Sequence, residues 1–101
     1  MTVERSSLLG TWVRSGEEDG PEEQVYRRPD YSFPPARGRE SFELAEDGTL
    51  VDRGPGPTDA PTESAGEWEL GESSLILRSL AGERSLEVVS AEPDRLVVRV
   101  R

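Results

Sequence analysis

From about residue 40 onward, apolar and polar positions alternate with a period of two, and turn residues interrupt the alternation at short intervals. Side chains at i and i+2 of a strand share a face, so each run predicts a strand with one dry and one wet side. Runs at 40–45, 49–53, 65–70 and 73–79 are followed by two more on either side of Glu92-Pro93-Asp94. An earlier strand is predicted at 8–14, with Gly10, Trp12 and Arg14 on one face. A short one is predicted near 25–27. Ser6-Ser7 suits a turn before the first strand.

Turn chemistry sets expected registers. Gly48 in the left-handed position of Glu46-Asp47-Gly48 suits a three-residue hairpin loop and places Leu44 opposite Leu50. A type II′ turn at Gly71-Glu72 pairs Trp68 with Leu75 and Gly66 with Leu77. The Ala81-Gly82 turn pairs Leu77 with Leu86 and Leu75 with Val88. The Glu92-Pro93-Asp94 turn pairs Val88 with Val98 and Leu86 with Val100. Together these assemble one apolar face, Trp68, Leu75, Leu77, Leu86, Val88, Val98 and Val100, and set Glu87 opposite Arg99 on the other face. Local turns and global pattern agree. A meander of seven or eight strands removes its edges by closing. The expected core is Trp12, Phe42, Leu44, Trp68, Leu75, Leu77, Leu86, Val88 and Val98.

The 101 residues suffice for one domain spanning 1–101. Two stretches break the rhythm. Residues 15–39 begin acidic and then turn aromatic, Arg-rich and Pro-rich; residues 54–63 are rich in Pro and Gly and read as a loop at a barrel end. The acidic half is expected to be mobile. The segment 25–39 is expected to order over one end of the barrel, because Tyr26, Tyr31 and Phe33 are unusual in a disordered linker. Glu17-Glu18-Asp19 lacks the ligand spacing of a calcium loop, so a solvated loop is expected there and no metal site.

Charge and inventory then narrow the chemistry. The net charge of −9 and a pI near 4.5 oppose binding to nucleic acid or anionic membranes. No apolar run reaches the length of a membrane span. The start of the chain lacks the layout of a secretory signal; if the chain is complete, it is cytoplasmic. There is no His, Cys or Lys. That removes Ser-His-Asp triads, thiolate nucleophiles, Cys/His zinc sites and Schiff-base chemistry. No cofactor is implied.

The chain holds two Trp residues, and both lie in a G-x-W triplet: Gly10-Thr11-Trp12 and Gly66-Glu67-Trp68. G-x-W followed by a β-meander resembles the lipocalin-like (calycin) barrels, especially the short bacterial lipocalin-like domains. The resemblance covers roughly 8–14 and 40–101. It implies an all-β fold, an antiparallel up-and-down meander forming a small closed or nearly closed barrel. It also implies that Gly10 and Trp12 open the barrel and that a cation on the last strand, Arg99 or Arg101, packs on Trp12. Parity opposes that packing, since both arginines lie on the face away from Val98 and Val100.

Three functions are weighed. The first is non-catalytic binding of a small apolar or anionic ligand, with candidate contacts Trp12, Tyr26, Arg28, Tyr31, Phe33, Arg37, Arg39 and Trp68. The arginines offer forked donors for a carboxylate or phosphate; the competing expectation is that they pair with the acidic stretch and with Glu40. The two Trp either line a cavity or fill the core, and an eight-stranded barrel has room for little beyond its own side chains. The second is a protein-interaction or structural domain with a filled barrel. The third is a calycin-like enzyme using carboxylate or Arg chemistry, for which Asp52 and Asp59 are loop candidates. A ligand-sized empty cavity favours the first and a solid interior the second.

Overall fold

A computed structural model describes residues 4–34, 40–55, 61–79 and 82–100. Eight strands form one closed antiparallel barrel: β1 (Gly10–Arg14), β2 (Glu23–Arg27), β3 (Ser41–Leu44), β4 (Thr49–Pro55), β5 (Pro61–Leu70), β6 (Ser74–Ser79), β7 (Gly82–Glu92) and β8 (Arg95–Val100). Strands β3 to β8 pair in chain order. The barrel closes through β2, which lies between β1 and β8, while β1 pairs with both β2 and β3. The short strand expected near 25–27 therefore completes the wall. Two 3-10 turns, Arg5–Leu8 and Gly16–Glu18, are the helical elements of the described residues. None of their helices is long and apolar enough to cross a membrane.

Several registers agree with the turn chemistry. Leu44 faces Leu50, and Gly48 has φ +92°. Leu86 faces Val100, Val88 faces Val98 and Glu87 faces Arg99. Strand β6 differs: Trp68 faces Leu77 rather than Leu75, Gly66 faces Ser79, and Leu75 faces Leu86. A type II′ turn needs a positive φ at Gly71, and Gly71 does not have one; its N–H bonds the Ser74 carbonyl at 2.8 Å, closing a longer loop. The slip is two residues on both sides of β6, an even number, so its apolar side chains stay on the same face. Strands β4 and β5 also run further into the Pro-rich stretch than expected, pairing as far as Pro55 with Pro61. Residues 56–60, including Asp59, lie outside the described residues.

All nine expected core residues are buried in one cluster, joined by Leu8, Tyr26, Leu50 and Leu96. Val100 departs from the expected apolar face, being 56 % exposed at the end of β8. A ligand-sized void would leave the side chains around it partly accessible. Trp12, Leu50, Leu75 and Leu96 are 0 % exposed, and Phe42, Leu44 and Leu77 are 1 %. The middle of the barrel is thus packed with its own side chains.

Candidate functional site

The two ends of the barrel differ. One end is sealed by the Arg5–Leu8 turn, whose Leu8 is fully buried. Both tryptophans are tied there by the same means. The Trp12 indole N–H donates to the Leu8 carbonyl at 3.0 Å, and that of Trp68 to the Ala45 carbonyl at 2.8 Å. Each ring carries a guanidinium on its face: Arg28 lies 3.8 Å from the Trp12 centroid and Arg5 lies 4.1 Å from that of Trp68. Among the described residues the cation on Trp12 is thus Arg28, just after β2, and not Arg99. Arg99 pairs with Glu23 across β8 and β2, and Arg101 lies outside the described residues. Parity explains the correction, since Arg28 follows Tyr26 by two and shares its inward face. Arg28 also donates to the carbonyls of Leu9, Thr11 and Pro93. Burial lowers its pKa, with Asp30 opposing.

The glycines of the two triplets serve these contacts. Gly10 has φ +105°, and a Cβ there would stand 2.9 Å from the Arg28 guanidinium. At Gly66 a Cβ would stand 1.9 Å from the Arg78 carbonyl oxygen of β6. The first glycine admits a side chain and the second admits a neighbouring backbone.

The opposite end is wet. Inward-facing positions become polar there: Arg14 on β1, Gln24 on β2, Asp52 on β4, Ser79 on β6 and Arg84 on β7. Asp52 is therefore a strand residue with a largely buried side chain, not a solvated loop residue. Both of its oxygens accept from Arg84 Nη2 at 3.0 Å, and Ser79 Oγ lies 3.5 Å away. Below this ring, Tyr26 packs edge-on against Phe42 with centroids 4.9 Å apart. Tyr26 sits opposite Arg14 in the β1–β2 ladder, and the Arg14 guanidinium lies 5.9 Å from its ring. Burial raises the Tyr26 pKa; Arg84 and Arg14 act against that, and Glu40 and Asp52 with it. Arg14 pairs with Asp19 and reaches Glu40 at 3.8 Å. The hydrogen bond to Asp19 raises its pKa, against the effect of burial. A hollow of about 550 Å³ opens at this end, lined by Arg14, Gln24, Arg99, Val100 and the loop at 19–23.

The acidic stretch is docked, contrary to the expectation of a mobile, solvated loop. Glu18 accepts from Arg27 Nη2 at 2.7 Å and Nε at 2.9 Å, and from Ser15 Oγ at 2.8 Å. Asp19 accepts from the Val25 N–H at 3.0 Å as well as from Arg14. Of the arginines expected to pair there, Arg27 meets the acidic stretch and Arg28 does not. Arg27 holds the Glu18 carboxyl down at about 2, against desolvation and with help from Ser15.

The eight candidate contact residues do not converge. Trp12, Tyr26 and Trp68 are core members, and Arg28 joins Trp12 at the sealed end. Tyr31 and Phe33 meet edge to face with centroids 4.9 Å apart, and Arg27 lies 4.7 Å from the Tyr31 ring. Arg37 and Arg39 lie outside the described residues. Of the segment 25–39, residues 25–27 belong to β2 and Arg28 reaches the Leu9 carbonyl at the sealed end; 35–39 lie outside the described residues. Arg14 and Arg84 were missed as site residues. Their signal was parity, since each lies two positions from an inward apolar residue, Trp12 and Leu86.

No protein-family model, no curated protein and no solved structure matches this chain.

Proposed function

We propose that this protein is a lipocalin-like, non-catalytic barrel that binds a small molecule at its wet end. The observation that carries the reading is the hollow of about 550 Å³ beside the inward-facing Arg14, lined by Gln24, Arg99, Val100 and the loop at 19–23. Its size falls within the ~300–1,000 Å³ usual for ligand pockets. The ligand rests on Arg14, Gln24, Arg99 and the loop at 19–23, because the interior of the barrel is occupied. A fragment screen followed by amide and side-chain NMR tests this. Saturable shifts should cluster at Arg14, Asp19, Gln24 and Arg99. If no fragment produces shifts at that end, the reading fails.

A second reading, a protein-interaction or structural domain with a filled barrel, draws support from the fully buried side chains along the barrel axis. It takes over if the wet end binds nothing.

A further inference from the structure

We propose a second site, outside the sealed end of the barrel, where Arg28, Ser6 and Ser7 take the phosphate group of a small phosphate monoester. The proposal is separate from the wet-end reading and stands or falls without it.

A hollow of about 260 Å³ opens at the sealed end, lined by Ser6, Ser7, Arg28 and Pro93. Its volume lies just under the ~300–1,000 Å³ of ordinary ligand pockets, so it suits one small polar group better than an extended apolar body. The Arg5–Leu8 turn carries both serines, and the turn between β7 and β8 supplies Pro93. Arg28 joins these walls. Its Nε donates to the Pro93 carbonyl at 2.9 Å, its Nη1 to the Leu9 carbonyl at 2.9 Å, and its flat face lies on Trp12. The guanidinium is thus held on three sides before any ligand arrives, which limits the entropy lost on binding.

Charge is the second observation. Arg14, Arg27, Arg53, Arg78, Arg84 and Arg99 each pair with a carboxylate. Arg28 pairs with none among the described residues; its hydrogen bonds all go to backbone carbonyls. Burial lowers its pKa, and Asp30 offsets only part of that. The cation is therefore partly desolvated and not neutralised, and an anion in the hollow supplies the missing countercharge.

The unused donors say which anion. Among the described residues, neither Arg28 Nη2 nor the hydroxyls of Ser6 and Ser7 donate to any group. A carboxylate is best held by two parallel N–H bonds from one guanidinium fork. Nη2 shares one fork with Nε and the other with Nη1, and both of those nitrogens are engaged by carbonyls. What remains is one nitrogen and two hydroxyls from three residues. Single donors of this kind match the several oxygens of a tetrahedral phosphate. The net charge of −9 repels polyanions such as nucleic acid and anionic membranes, which leaves a small monoester.

The test titrates the full chain with phenyl phosphate, inorganic phosphate, benzoate and chloride at fixed pH and ionic strength, followed by amide and arginine side-chain NMR. Both phosphates should give saturable shifts at Ser6, Ser7 and the Arg28 Nε–H, about fivefold or more tighter than benzoate. Chloride should give no saturable shift. Ser6→Ala and Ser7→Ala remove no side-chain hydrogen bond within the described residues. Each should therefore keep the parent's circular dichroism spectrum and urea midpoint while weakening phosphate by ~3- to 10-fold, the loss of one hydrogen bond. Arg28→Gln should abolish the saturable shifts; because it also removes the cation from Trp12, the serine variants decide the question. Benzoate binding as tightly as phosphate, shifts that never saturate, or serine variants that bind phosphate like the parent would each overturn the proposal and leave the wet-end reading untouched.

Discussion

The guanidinium of Arg28 lies 3.8 Å from the centroid of the Trp12 ring, while its Nη1 donates to the Leu9 carbonyl at 2.9 Å. One side chain just past β2 thus closes the end of β1 over the largest group in the core. Arg28→Ala removes a desolvated cation–π contact worth ~2 kcal/mol and strips partners from backbone carbonyls. A loss of about 2–4 kcal/mol is expected in urea unfolding followed by tryptophan fluorescence. Arg28→Lys should recover less than half, since an ammonium cannot stack and fork at once. A loss under about 0.5 kcal/mol for the Ala variant would mean the stack contributes nothing.

Gly66 and Gly16 form a matched pair for testing the close approach of β5 to β6. A methyl group at Gly66 meets the Arg78 backbone oxygen, which cannot move without opening the ladder, whereas nothing lies within 4 Å of one at Gly16. Gly66→Ala should cost about 2–4 kcal/mol through displaced backbone and a shifted Trp68. Gly16→Ala should stay within about 0.5 kcal/mol of the parent. Equal stabilities for the two variants would contradict the packing of β6 on Gly66.

Most of the barrel was legible because its signals are local and redundant. The Gly48 loop, the Glu92-Pro93-Asp94 turn and the alternation on β7 and β8 each point to the same registers. The slip of β6 was not legible, because Ser73-Ser74 and Gly71-Glu72 both suit turns and an even slip preserves the pattern. The place of β2 between β1 and β8 was hidden for a different reason. It depends on tertiary pairing after a nonperiodic stretch. The polar end of the barrel was the least visible part. Its members, Arg14, Tyr26, Asp52 and Arg84, come from four strands, and no spacing in the chain links them. Only their shared inward parity does, and reading that requires the registers first.

The Arg5–Leu8 turn seals the barrel through one buried side chain. Leu8 is fully buried and its carbonyl accepts the Trp12 indole N–H, while Ser6 in the same turn is exposed. Leu8→Ala should therefore destabilise by ~2–4 kcal/mol, and Ser6→Ala by less than about 0.5 kcal/mol. Arg5→Gln, which removes the cation on the Trp68 face, should cost about 0.5–1 kcal/mol. Urea midpoints at constant slope would establish the order Leu8, Arg5, Ser6; any other order would show that the turn is not a seal.

Glu18 ties the acidic stretch to β2, and its titration gives that contact a pH signature. Its carboxyl is lowered from the ordinary 4.5 to about 2 in the folded chain by Arg27, which donates two hydrogen bonds to it. The folded state therefore binds fewer protons than the unfolded state between these values. The stabilisation is complete above pH 5, declines as pH falls through 4.5 toward 2, and is gone below both values. The pair is partly exposed, so solvent screening limits its worth to about 1 kcal/mol. Glu18→Gln should lower stability by that amount at pH 7 and by almost nothing near pH 2. The difference between parent and variant should close across the acid range. Arg27→Gln should produce the same convergence, because it removes the other half of one contact. Parallel pH profiles for parent and variant, offset by a constant, would show that Glu18 does not hold the turn through its charge.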